Sequence, residues 1–185
     1  PTNRTPDEIA SLTNAVTLYR RLLKSAPDKS VVVCSIGFLN NLKALMESPK
    51  DYEGDGSINS TGMDLVAAKV KGLRIMGGCF DSTASPDGKG GAEYNFAGNP
   101  EAAKMVMENW PTPIICSPWE VGRKLDYKHD WVTADFPAGT FNPVIRAAEK
   151  AWPPVKDKDE LANCLWDPMT VLPLVEGETL APLSE

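Results

Sequence analysis

The sequence predicts an α/β fold, an open and mostly parallel sheet flanked by helices. Three observations lead there. Short apolar runs of strand length occur at residues 30–36 (SVVVCSI), 73–76 (LRIM) and 113–116 (PIIC). Segments with apolar residues at helical spacing stand between them. Glycine or proline punctuates the joints, as at Gly37, Gly77-Gly78 and Asn99-Pro100. Strands alternating with helices are the signature of a parallel sheet, and its strands read as nearly continuous apolar runs.

The elements follow in order. Thr5-Pro6-Asp7-Glu8 is a capping box with proline at the first helical position. The helix it opens carries Ile9, Leu12, Val16, Tyr19 and Leu23 and ends near Ala26-Pro27. Residues 30–36 form the first strand, apolar on both faces as a central strand should be. Residues 38–46 form a helix with Leu39, Leu42, Leu45 and Met46 inward. A polar, glycine-rich loop covers 48–62, a short amphipathic helix 63–70, and the second strand 73–76. Asn99 supplies a cap and Pro100 a first turn for a helix over 100–110, with Ala103, Val106 and Met107 inward. The third strand at 113–116 leads to a short helix over 119–125. Residues 126–140 read as irregular, with Tyr127, Trp131 and Phe136 as local packing or an interface. Asn142-Pro143 starts a helix reaching about Trp152, and 153–159 is a charged loop. Asp167-Pro168 caps a last helix that Pro173 ends or bends.

Composition narrows the functional classes. The chain of 185 residues is the size of one domain, 1–185, with enough sequence to bury a core. A net charge of -6 with no basic run argues against nucleic acid as a partner. No apolar run approaches the ~18 residues that span a membrane. The four cysteines, Cys34, Cys79, Cys116 and Cys164, lie far apart and form no C-x-x-C, and the single histidine is His129, so zinc is disfavoured. Cys34 and Cys116 sit in apolar runs and read as buried thiols. Two N-x-S/T sequons, at Asn3 and Asn59, hint at secretion.

The stretch with the most chemistry runs over 73–110. A strand ends in Gly77-Gly78, and loops at strand ends are where open α/β sheets place ligands. After a polar loop comes AEYNF, with Glu93 and Asn95. In an extended segment, residues two apart point to one side, so this acid and amide converge on a small polar ligand.

Four segments together resemble the inosine-uridine-preferring nucleoside hydrolase family: SIGFLNNL (35–42), RIMGG (74–78), AEYNFAGNPEAA (92–103) and WDPMTVL (166–172). NWPTPIICSPWEVG (109–122) and Asn142-Pro143 are similar to a microbial and fungal subgroup. The resemblance implies a Rossmann-like sheet and hydrolysis of the N-glycosidic bond of ribonucleosides with bound calcium. Negative charge near the sugar suits an oxocarbenium-like transition state, and a hard cation can hold a diol and a water together. The resemblance places Glu93 and Asn95 on the ribose hydroxyls and Met76 near the sugar. It makes Asp167 a calcium ligand through its carboxylate and Asn40 one through its carbonyl. Glu120 reads as a supporting residue.

Two departures shape the expectation. Trp166 stands where many members carry a histidine, so it can stack on a base but offers no imidazole. The family's N-terminal aspartate cluster, D-x-D-x-x-x-D-D, is absent from these 185 residues, and Asp55, Asp64, Asp81 and Asp87 are scattered. The reading is therefore a C-terminal portion of the family domain, with a sheet incomplete in this chain. An upstream segment or a second chain would complete it, the assembly being oligomeric. Its partner is a ribonucleoside or a ribose-like molecule, and the catalytic base lies elsewhere. The rival expectation is an inactive member kept as a structural, assembly or sugar-binding protein.

Overall fold

The computed structural model describes residues 5–52, 59–81, 91–128 and 161–175. The expected helix at Asn142-Pro143, the loop 153–159, His129, Trp131 and Phe136 lie outside these residues. The fold is α/β, with a small open parallel sheet of three strands and flanking helices. The strands are β1 (Val31–Ser35), β2 (Val70–Met76) and β3 (Ile114–Ser117), in the spatial order β1-β2-β3. β2 is therefore the central strand. Its burial shows the position: Val70, Leu73, Ile75 and Met76 are all buried. In β1 only Val33 is buried, and Ile36 just beyond is half exposed. Among the described residues β1 pairs with β2 alone, and a second neighbour for it is not among them.

The helices explain themselves locally. Thr5 caps α1 (Pro6–Ala10) through the expected box, its hydroxyl accepting from Glu8 N–H at 3.2 Å. The helix does not run on to Ala26. Ser11 turns its hydroxyl back to the Glu8 carbonyl at 2.8 Å, and Asn14 caps a new helix, α2 (Ala15–Ser25), by accepting from Val16 and Thr17 N–H. Short polar side chains compete with the helical ladder, and here they win. Ile9 and Leu12 are accordingly exposed, while Val16 and Leu23 are buried. α3 (Asn40–Glu47) buries Leu42, Leu45 and Met46, with Leu39 buried just before it. α4 (Gly62–Lys69) starts from a second capping box, Thr61 with Asp64. A four-residue helix, α5 (Tyr94–Ala97), precedes α6 (Pro100–Asn109), which Asn99 caps by accepting from Ala102 N–H at 3.0 Å.

The chain divides into two compact units, Pro1–Arg74 with Asn95–Ile115, and Ile75–Tyr94 with Cys116–Glu185. In the first, α2, α3, α4 and α6 pack on one another. Gly62 permits the closest approach: a Cβ there would lie 1.6 Å from the Leu45 carbonyl oxygen. Arg20 is fully buried, and its guanidinium donates to Ser48 Oγ at 2.8 Å and the Ser60 carbonyl at 2.7 Å. These two bonds offset part of the cost of burying a cation.

The second unit holds α7 (Trp119–Gly122), a short antiparallel pair β4 (Asp126–Lys128) and β5 (Leu161–Cys164), and α8 (Pro168–Val175). The pair corrects the irregular reading of 126–128. Such short strands, with a shift of register after Tyr127, leave little pattern in the sequence. Pro173 does not end α8; it lies buried inside it. Proline there removes the N–H that would reach the Met169 carbonyl. Ser117 Oγ donates to that carbonyl instead, at 3.4 Å. The four cysteines are free and half-buried rather than buried. No described helix is long and apolar enough to cross a membrane.

Candidate functional site

Chemistry-bearing residues of the second unit gather where β2 ends. Met76 is the last residue of β2 and is buried. Gly77 N–H still donates to the Ser117 carbonyl of β3, at 3.3 Å. Gly78 then turns the chain with φ 82°, a left-handed conformation that glycine adopts without a Cβ penalty. That turn aims its N–H at the Glu93 carboxylate, whose Oε2 accepts at 3.0 Å. Glu93 is only 3% exposed, so this bond offsets part of the cost of burying its polar group. The Gly78 carbonyl in turn accepts from Trp119 N–H at 2.9 Å, joining the loop to the start of α7.

Glu120 adds a second tie. Its Oε1 accepts from Phe80 N–H at 3.0 Å and from Asp81 N–H at 3.2 Å. Among the described residues its Oε2 is buried with no hydrogen-bond partner. Burial pushes the Glu120 pKa up, but the hydrogen bonds it accepts outweigh burial and hold it below the usual value. The Cys79 thiol beside it is pushed up, by burial first and then by the Glu120 charge.

Asp167 opens the last turn before α8 and is exposed as a residue. The protein around its carboxyl nevertheless raises its pKa, and the negative charge of Glu93 raises it further. The two acids therefore sense each other. Trp166 next to it donates its indole N–H to the Trp119 carbonyl at 3.0 Å. Gly122 gives that ring its room, since a Cβ there would meet Trp166 Cδ1 at 2.3 Å.

Among the sequence-named residues, Met76, Glu93, Glu120, Trp166 and Asp167 thus belong to this unit, and Glu93 and Asp167 are coupled by charge. Asn40 and Asn95 belong to the first unit. Asn40 is the exposed first residue of α3, and no side chain caps that helix. Asn95 is buried in α5. The segment carrying Glu93 and Asn95 is not extended: it enters a helix at Tyr94. Strand alternation therefore does not put both side chains on one side, because helical steps of two residues rotate a side chain by roughly half a turn. Sequence reasoning missed Gly78 as the donor to Glu93. The signal was present in Gly77-Gly78 after a strand, but not its partner.

The metal-ligating potential is limited. Among the described residues no group of three or more His, Cys, Asp or Glu is placed to hold a metal ion. A hard divalent cation takes six to eight oxygens. Asp167 qualifies as one donor, and Glu93 Oε2 is already committed to Gly78. The described residues alone do not fit a metal centre.

No curated protein matches the chain as a relative. The family model for "Inosine-uridine preferring nucleoside hydrolase" matches residues 2–183, nearly the whole length, and the chain therefore belongs to that family.

Proposed function

We propose that this chain provides the sugar-binding part of a ribonucleoside hydrolase, completed by an acidic segment that these 185 residues do not contain. The family match over residues 2–183 is the observation that carries the reading. Membership supports nucleoside hydrolase-like function, nucleoside substrates and a bound metal ion. The reaction adds water across the N-glycosidic bond: the bond from sugar carbon to base nitrogen breaks, the carbon takes the water oxygen, and the base leaves with a proton.

In this reading the fixed Glu93 carboxylate orients the ribose hydroxyls and places negative charge near a ring that becomes cationic. Met76 lies against the sugar, and Trp166 offers its ring to the base. Asn95 keeps the ribose role and Asn40 the carbonyl-ligand role that the family resemblance gives each. The proposed metal is calcium, with Asp167 as one ligand. Its remaining oxygens must come from beyond the described residues, and no step is routed through it. Both compact units form one domain of 1–185, and the completed assembly is oligomeric.

The second reading is a catalytically inactive member that binds sugar or builds an assembly. One observation favours it: the Trp166 N–H, at the position where many members carry a proton-donating histidine, is spent on the Trp119 carbonyl.

The test is ribose release from inosine and uridine by the native assembly in millimolar calcium, with inosine binding measured alongside. The proposal expects turnover that a chelator abolishes. It also expects Glu93→Ala to weaken inosine binding at least roughly tenfold, the scale of one charge-assisted hydrogen bond. Binding without turnover supports the inactive reading. Absence of both overturns the two readings together.

A further inference from the structure

We infer that Glu120 is a positioning residue for the sugar site: it holds the loop after β2 so that Gly78 N–H meets the Glu93 carboxylate. This rests on the reading of Glu93 as a ribose-binding group.

The geometry is a chain of ties within the second unit. Glu120 Oε1 gathers two successive backbone N–H groups, Phe80 at 3.0 Å and Asp81 at 3.2 Å. Two residues before Phe80, the Gly78 carbonyl is held by Trp119 N–H, the neighbour of Glu120 in α7. The loop is thus pinned at both ends of a short span. Gly78 adopts φ 82°, where its N–H direction depends on the backbone that follows. That N–H is what Glu93 Oε2 accepts. Without the Glu120 tie, two N–H groups lose their acceptor and the left-handed turn loses its downstream anchor.

The other carboxylate oxygen supports the same view. Among the described residues, Glu120 Oε2 is buried without a hydrogen-bond partner, with the Cys79 thiol beside the carboxylate. Buried polar atoms are normally satisfied, and exceptions concentrate where function constrains a group. Glu120 does not reach substrate in this scheme; it acts through the loop. An acceptor oxygen at this place is what the ties require, so an amide with the same reach should replace it. A role carried by negative charge would not survive that change.

The experiment uses the native assembly carrying the wild-type chain or its Glu120→Ala and Glu120→Gln variants. The amide resonance of Gly78 reports the bond to Glu93, and amide exchange at Phe80 and Asp81 reports the tie itself. Inosine binding supplies the functional readout, with the melting temperature as a control for folding. Expected for Glu120→Ala are a displaced Gly78 resonance, faster exchange at 80–81 and inosine affinity lower by roughly tenfold, the scale of one misplaced charged hydrogen bond. Glu120→Gln should restore all three. A Gly78 resonance unmoved in Glu120→Ala overturns the inference, as does wild-type affinity in that variant. Failure of Glu120→Gln to rescue also overturns it, since charge would then be the requirement. If the wild type binds no inosine, the function proposed above fails. The Gly78 resonance and exchange still decide whether Glu120 positions Glu93.

Discussion

Glu93, Glu120 and Asp167 are three carboxylates of one unit held in three different ways. Glu93 is buried on a glycine N–H, Glu120 accepts from two loop amides, and Asp167 has its pKa raised by burial of its carboxyl first and by the Glu93 charge second. For Glu120 the consequence can be read against pH. Its folded pKa lies below the ordinary glutamate value of 4.5. A depressed carboxylate contributes stability that is present above its ordinary value and is lost as pH falls through the folded value. Urea titrations at neutral and strongly acidic pH should therefore show the wild type losing an advantage over Glu120→Gln as acid is added. Parallel stability curves for the two proteins would contradict this. At this scale Gly77-Gly78 was legible as a strand stop. That Gly78 serves Glu93 was not, because fifteen residues and a left-handed turn separate donor from acceptor.

At the scale of elements, caps were the most legible feature. Thr5 and Asn99, both read from the sequence, satisfy backbone N–H groups of the helices they precede, and Thr61, read only as part of a loop, does the same for α4. Replacing Asn99 with alanine should cost about 1 kcal/mol, the usual worth of such a cap, as a lower urea midpoint. No change would mean that Pro100 and tertiary packing alone define the start of α6. The division of α1 from α2 was misjudged because the apolar spacing runs across it. Ser11 and Asn14 decide the break by hydrogen bonds that a periodicity count ignores. Pro173 does not end α8, the first of its two expected effects, for the opposite reason. A distant hydroxyl, Ser117, answers the carbonyl that proline leaves unpaired in α8.

At the scale of the molecule, the open matter is how far two compact units behave as one domain. The core of the first unit is dense, and Leu45 is fully buried within it. Leu45→Ala should cost roughly 2–5 kcal/mol, a large part of the about 5–15 kcal/mol that holds a typical protein folded. If 1–185 is one cooperative domain, the loss should appear equally in urea-dependent amide exchange at 77–81, in the second unit. An unfolding midpoint at 77–81 that does not move would show that the units unfold separately. Net charge and composition were informative here only as exclusions, turning attention from nucleic acid toward a small polar ligand.

Local chemistry is written along the chain, so the sequence by itself determined the starts of α1 and α6, the three parallel strands and the family segments that name Glu93 and Asp167. Each depends on residues a few positions apart, through cap hydrogen bonds or apolar spacing. Tertiary structure alone decided that β2 is the central strand, that Gly78 donates to Glu93, and that Glu120 clasps Phe80 and Asp81. Those relations join segments whose separation no periodicity encodes, and they exist only once the backbone has brought donor and acceptor within about 3 Å.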